Sequence, residues 1–252
     1  MQVNRFVFVA PMYNASAYVG RMLHSICGQS YENWKVVLID DVSSQEERKA
    51  ESEIVTQFQR MRGCEGKIEV WWNTDKLWEV ANVLKGISMC EEDDIVCRID
   101  ADDWLTDLDA LMMIDAKYKS TGCDVLWTAH RWSYSDRNIS GPMPQTADPY
   151  KYPWVSSHLK TFRKRLISNV PDENFRGPDG NYIRRAGDQC LYLPVLHKSQ
   201  RKEYLPRCIY HYTINDVPAT YQTDDAKFQK SEADFIRKRG YVQTGETWEA
   251  KI

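Results

Sequence analysis

The chain has 252 residues, 33 Lys/Arg against 36 Asp/Glu for a formal net charge of -3, and 42% hydrophobic with 12% aromatic residues, enough for one large α/β domain with a packed core. No run of about 18 apolar residues occurs, which excludes a bilayer-spanning helix. Seven cysteines without a C-x-x-C pair argue against a disulfide framework and a zinc site, and the start shows no signal-peptide layout, so a reducing cytoplasm is the expected location.

The charge is divided unevenly. Residues 1–150 carry 15 Lys/Arg against 24 Asp/Glu, and residues 151–252 carry 18 against 12. An acidic half able to hold a metal thus precedes a basic half able to meet an anionic partner, although an excess this small also describes an ordinary surface.

In chain order, Phe6-Val7-Phe8-Val9-Ala10 is predicted as a strand ended by Pro11, followed by the loop Pro11-Met12-Tyr13-Asn14. Ser16 is the expected N-cap of a helix with apolar positions Val19, Leu23 and Ile26. Trp34-Lys35-Val36-Val37-Leu38-Ile39 reads as a second buried strand. The turn Asp40-Asp41-Val42-Ser43-Ser44 opens a helix over 45–61. A strand at Ile68-Glu69-Val70-Trp71-Trp72 and a helix over 79–89 come next.

The fourth apolar run, Asp94-Ile95-Val96, leads into Cys97-Arg98-Ile99-Asp100-Ala101-Asp102-Asp103-Trp104. Three carboxylates within four residues repel one another unless a cation shares the site, and Mg²⁺ or Mn²⁺ is held by such acids together with substrate phosphates. The alternative is an acidic turn in which Asp102 or Asp103 caps the next helix. Alternating strands and helices predict a parallel α/β sheet, whose ligands bind at the carboxyl ends of its strands. Pro11, Asp41 and residues 100–103 all fall at such ends. No glycine-rich phosphate cradle is present, so a bound diphosphate would depend on the metal and basic side chains.

Further on, an amphipathic helix with Leu108, Leu111, Met112 and Tyr118 precedes a strand at Asp124-Val125-Leu126-Trp127-Thr128-Ala129. Residues 133–153 dissolve into a long loop, the kind that often serves binding or closure. It divides one continuous domain into halves at 1–132 and 133–252. The run His158-Leu159-Lys160-Thr161-Phe162-Arg163-Lys164-Arg165 reads as a basic helix start, either solvated or binding. Gly187-Asp188-Gln189 opens a helical stretch that Pro194 is expected to kink or shorten, and Asp188 either caps it or is an acid held at the cleft. A strand at Cys208-Ile209-Tyr210-His211-Tyr212 and a terminal helix from Asp224 to Arg239, closed by Gly240, complete the chain.

Four pieces occur in a familiar order: Pro11-Met12-Tyr13-Asn14, Ser25-Ile26-Cys27-Gly28-Gln29-Ser30-Tyr31, Ile39-Asp40-Asp41-Val42-Ser43-Ser44, and Asp100-Ala101-Asp102-Asp103. Over about the first 130 residues the chain resembles the family-two glycosyltransferases with the GT-A nucleotide-sugar-binding fold. That resemblance implies a Rossmann-like α/β sheet with a C-terminal acceptor-side extension. It also implies inverting transfer of a sugar from a nucleotide-diphospho-sugar, typically a UDP-sugar, with Mn²⁺ or Mg²⁺. On the donor side it assigns Pro11, Tyr13, Asn14, Asp41, Asp100 and Ala101, with the Asp41 carboxylate on the base. The metal ligands would be Asp102 and Asp103, with His211 at a strand end as a third candidate ahead of His158 and His197. Asp188 would be the catalytic base, although the Glu-Asp pair common in the family is Gly187-Asp188 here.

Two rival readings remain beside transfer. A nucleotidyltransferase would normally show a glycine-rich phosphate loop near its start, and a catalytically silent nucleotide-binding module would have lost its acids. The acceptor hydroxyl is expected on a glycan or, given the basic second half, on a hydroxymethylated nucleobase in DNA.

Overall fold

The computed structural model describes residues 3–214 and 224–246. In chain order the elements are β1 (Phe6–Met12), α1 (Ser16–Cys27), β2 (Trp34–Asp40), α2 (Gln45–Gln59), β3 (Ile68–Trp72), α3 (Trp78–Ile87), β4 (Ile95–Arg98), β5 (Trp104–Leu105) and α4 (Ala110–Thr121). The second half supplies β6 (Val125–Trp132), β7 (Lys160–Arg163), the short α5 (Arg165–Ser168), a 3-10 turn at Asp172–Phe175, α6 (Gly187–Lys198), β8 (Lys202–Tyr212) and α7 (Asp224–Arg239). Among the described residues no helix is long and apolar enough to cross a membrane.

One eight-stranded sheet runs in the order β3-β2-β1-β4-β7-β6-β8-β5. Its first four strands are parallel, as the alternating sequence predicts. Strand alternation divides the core between the two faces. Phe6, Phe8 and Ala10 join α1 and α4 residues such as Leu23 and Ile114, while Val7 and Val9 join Val83, Leu193 and Ile236 on the other side.

Several local expectations change, each for a physical reason. Pro11 lies inside β1 rather than ending it. The ladder to β4 stops at Val9, so a missing N–H at position 11 costs no bond on that side. Ser16 does not cap α1. The Glu51 and Glu47 carboxylates of α2 accept from the N–H groups of Ala15 (2.7 Å) and Ser16 (3.1 Å) instead. Residues 158–163 are not a helix start, because β7 pairs antiparallel with both β4 and β6 in mid-sheet. The basic residues just after β7 meet acids at the amino end of β4: Arg165 reaches Asp93 at 3.3 Å, and Lys164 pairs with Glu92. Pro194 is carried within an unbroken α6, and β8 begins earlier than predicted.

The loop after β6 is a strap packed on the domain. Gln145 brackets Lys202 at the start of β8, Trp127 Nε1 donates to Gly141 O at 2.9 Å, and Arg237 of α7 donates to Tyr150 O and Tyr152 O.

Candidate active site

The carboxyl ends of β1, β2 and β4 open into a cleft of about 570 Å³, lined by Pro11, Tyr13, Asp41, Lys76, Trp78, Glu79, Arg98, Asp100, Arg184 and Arg185 among others. Beside it lies a cavity of about 270 Å³ lined by Glu79, Asp100, Asp102, His158, Arg185, Asp188 and Tyr212. Glu79, Asp100, Arg185 and Gln229 belong to both, so the two spaces adjoin.

Asp41 leaves the end of β2 and caps α3 from outside. Its Oδ1 accepts from Leu77 N at 2.6 Å and its Oδ2 from Trp78 N at 3.0 Å, which places a carboxylate at a helix N-terminus that lacks a side-chain cap of its own. Each oxygen retains a second lone pair. Asn14 has a left-handed backbone, φ 49°, and its Oδ1 accepts from Ser44 N at 3.0 Å, which ties the β1 loop to the β2 loop. Tyr13 is exposed, with Lys76 Nζ 3.2 Å from its ring centroid. Ala101 is buried in the turn behind the acids.

The acid turn is braced by the end of β8. Asp103 is buried, its Oδ2 accepting from Tyr210 OH at 2.5 Å and its Oδ1 from Thr213 N at 2.7 Å. Asp102 lines the cavity, and its carbonyl accepts from Thr213 Oγ1. Burial, then the charges of Asp100 and Asp102, push the Asp103 carboxyl well above the carboxylate range. A cation among these groups would relieve that repulsion, so the donor set fits a hard divalent ion.

Among the described residues one group gathers metal-ligating atoms within 4.8 Å of one another: Asp100, Asp103 and His158. His158 Nδ1 lies 3.2 Å from Lys160 Nζ, which can only donate. Nε2 of the neutral ring therefore carries the proton, and the arrangement favours oxygen ligands over the imidazole.

His211, the expected third ligand, does not line this cavity. Alternation along β8 turns Tyr210 and Tyr212 toward the acids and His211 away, stacked on Trp104 at 3.7 Å and 3.0 Å from Ser133 Oγ. His197 stacks on Tyr241 instead.

Asp188, in the first turn of α6, meets Lys160 Nζ at 2.8 Å and His158 Nε2 at 3.8 Å. Burial alone would raise its carboxyl, but Lys160, His158 and Arg98 together hold it well below the usual range. Burial and the Lys160 charge push His158 down to about 3. Sequence reasoning missed Glu79, Arg98, Lys160, Arg184 and Arg185. Arg98 carried a signal two residues ahead of the acid turn, and Lys160 one within the basic run of residues 158–165.

The model of Glycosyl transferase family 2 matches residues 7–189. The chain belongs to that family. It is 35% identical over 98 residues to the amylovoran biosynthesis glycosyltransferase AmsB of Erwinia amylovora, a match that spans 39% of this chain and 31% of the relative. The structure is similar to S. aureus TarS 1-349 in complex with UDP-GlcNAc, with TM-score 0.65, 17% identity, and coverage of 93% of this chain and 70% of that one. It is also similar to the mannosyltransferase PcManGT of Pyrobaculum calidifontis in complex with GDP-Man and Mn²⁺, with TM-score 0.62, 13% identity, and coverage of 94% and 64%. These likenesses establish the GT-A fold. The chain spans about a third of the length of the amylovoran relative.

Proposed function

We propose that the protein is an inverting, metal-dependent glycosyltransferase that moves a sugar from a nucleoside-diphosphate sugar, with uracil the expected base, to an acceptor hydroxyl. The observation that carries this reading is the adjacency of the two spaces. A cleft holding Asp41 and the cations Lys76, Arg98, Arg184 and Arg185 opens directly onto a cavity holding Asp100, Asp102 and Asp188.

In this reading the nucleoside lies between Pro11, Tyr13 and Asp41, and the diphosphate turns toward Arg184 and Arg185. Asp100, Asp102 and Asp103 would hold Mn²⁺ or Mg²⁺, which supplies charge neutralisation of the diphosphate leaving group. Asp188 accepts the proton of the acceptor hydroxyl as that oxygen closes on the anomeric carbon. Lys160 pairs with the ionised Asp188 at 2.8 Å and fixes its orientation, at the cost of some basicity. One displacement with attack and departure on opposite sides inverts the anomeric centre. The complexes of TarS with UDP-GlcNAc and of PcManGT with GDP-Man and Mn²⁺ support the same class of donor here.

A glycan hydroxyl is the favoured acceptor. The basic second half suggested DNA, and its densest run has Lys160 on Asp188, Lys164 on Glu92 and Arg165 on Asp93, three cations already paired with acids of the protein.

The test is thermal stability with UDP, GDP, CDP or TDP, each with and without Mn²⁺. A nucleotide at about 100 times its dissociation constant stabilises the native state by about 2.7 kcal/mol. A shift with one nucleotide that needs the metal supports the donor reading, and no shift with any of them overturns it. Release of UDP from UDP-GlcNAc on addition of a glycan acceptor separates a transferase from a silent module. Release of pyrophosphate from a nucleoside triphosphate would indicate a nucleotidyltransferase.

A further inference from the structure

Position 187 has no side chain, yet the space beside it is filled. A Cβ built there would overlap both oxygens of the Glu79 carboxylate, which arrives from the first turn of α3. The glycine that opens α6 is therefore the counterpart of a glutamate distant in sequence and adjacent in space.

Glu79 is fixed in that position. Its Oε1 accepts from Arg98 Nη2 at 2.8 Å, and the same nitrogen donates to Asp100 Oδ1 at 2.7 Å. The Arg98 side chain is only 5% exposed, which holds the pair firmly, whereas Glu79 keeps 26% of its side chain exposed. Glu79 lines both the nucleotide cleft and the acid cavity with Asp188. In a nucleoside-diphosphate sugar lying this way the diphosphate joins the two spaces and the sugar it carries enters the acid cavity beside Asp188, where Glu79 faces a polyol whose hydroxyls donate to carboxylates.

We propose that Glu79 is the donor-sugar recognition residue of this enzyme: a carboxylate supplied from α3 into the room left by Gly187, where it accepts hydrogen bonds from the transferred sugar next to Asp188. The assignment rests on the donor reading above. Burial pushes the Glu79 carboxyl up to about 7 against the pull of Arg98, and the charges of Asp188 and Asp100 push the same way. A sugar hydroxyl that donates to the ionised form would offset that cost.

The experiment compares binding of UDP and UDP-GlcNAc, with GDP and GDP-mannose as a second pair, all with Mn²⁺, to wild type, Glu79→Gln, Glu79→Ala and the double variant Glu79→Ala/Gly187→Glu. A lost hydrogen bond to a charged group costs about ten- to a hundredfold in affinity. Glu79→Ala is expected to lose that factor for the sugar nucleotide while its affinity for the free nucleotide stays within about twofold. Glu79→Gln keeps an oxygen for Arg98 and is expected to fall between wild type and Glu79→Ala. The double variant, which returns a carboxylate from α6, is expected to regain part of the sugar-nucleotide affinity.

Equal losses for nucleotide and sugar nucleotide in both Glu79 variants would overturn the proposal, because they would mark Glu79 as a brace for Arg98 and Asp100 alone. Unchanged sugar-nucleotide affinity in Glu79→Ala would overturn it too. Failure of wild type to bind any nucleotide would instead sink the donor reading, and so the two failures are distinguishable.

Discussion

Lys160 Nζ lies 2.8 Å from Asp188 Oδ1, and the lysine keeps only 2% of its side chain exposed. Each charge answers the other. Replacing the carboxylate therefore removes both a proton acceptor and the counter-charge of a buried ammonium. Asp188→Asn is expected to lower the rate of transfer by about 10²–10⁴-fold. It is also expected to destabilise the fold by roughly 2–4 kcal/mol, because a buried cation is left unpaired beside a partly exposed partner. Lys160→Met added to Asp188→Asn should recover most of that stability and none of the activity. Recovery of activity in the double variant would place the base elsewhere.

The acids of the turn after β4 separate into two kinds. Asp102 lines the cavity, whereas Asp103 is buried on Tyr210 and Thr213. Asp102→Asn is expected to disturb the free protein less than Asp103→Asn does, while abolishing the Mn²⁺-dependent part of the nucleotide shift. Asp103→Asn is expected to cost about 1–3 kcal/mol even without ligand, because Tyr210 or Thr213 loses its acceptor. Equal effects of the two substitutions on the free protein would refute this division.

His130 gives the fold an acid-sensitive point. Trp132 Nε1 donates to its Nε2 at 3.1 Å, so that nitrogen is unprotonated, and Nδ1 meets Ser140 Oγ at 3.1 Å. Burial, then the Lys160 charge, lowers its pKa to about 4. The unfolded chain takes up a proton near pH 6.5 and the folded one does not. The stability contributed by neutral His130 is therefore complete above about pH 6.5 and declines toward pH 4 by at most ~1.4 kcal/mol per unit. Glu79, raised to about 7, acts in the opposite sense over much of the same window. The check is thus a comparison of urea unfolding at pH 5 and pH 7 in wild type and His130→Gln. The variant should lose less stability on acidification, and identical pH slopes would mean that His130 is not held neutral.

Gly86 lets α3 sit close to the sheet, since a Cβ there would come within 2.5 Å of Val9 Cγ1 and 2.8 Å of Ile39 Cδ1. Gly86→Ala is expected to destabilise by about 1–3 kcal/mol through overpacking. Because Glu79 rides on the same helix, donor binding should weaken as well. A variant with wild-type melting and binding would show that the helix can shift without consequence.

The strands around the site were legible in the sequence because apolar runs such as Trp34-Lys35-Val36-Val37-Leu38-Ile39 end abruptly in polar turns, and the acids after β4 stood out for the same reason. Where the reading erred, partners came from distant segments. Ser16 looked like a cap, but the acids that cap α1 belong to α2. Residues 158–165 read as a basic helix start, either solvated or binding, because a lysine in a central strand is improbable until Asp188 is known to face it. Glu79 gave no local signal at all, since its significance depends on a missing side chain at Gly187.

The order of the sheet interlocks the two halves of the chain. Residues 104–105 from the acidic half form the outermost strand and are held there by β8 of the basic half, while β7 of the basic half is threaded between β4 and β6. A cut at the long strap would strip partners from strands on both sides, so neither half keeps a complete sheet without the other. A substitution in either half is therefore felt by strands of the other, and the two halves stand or fall together.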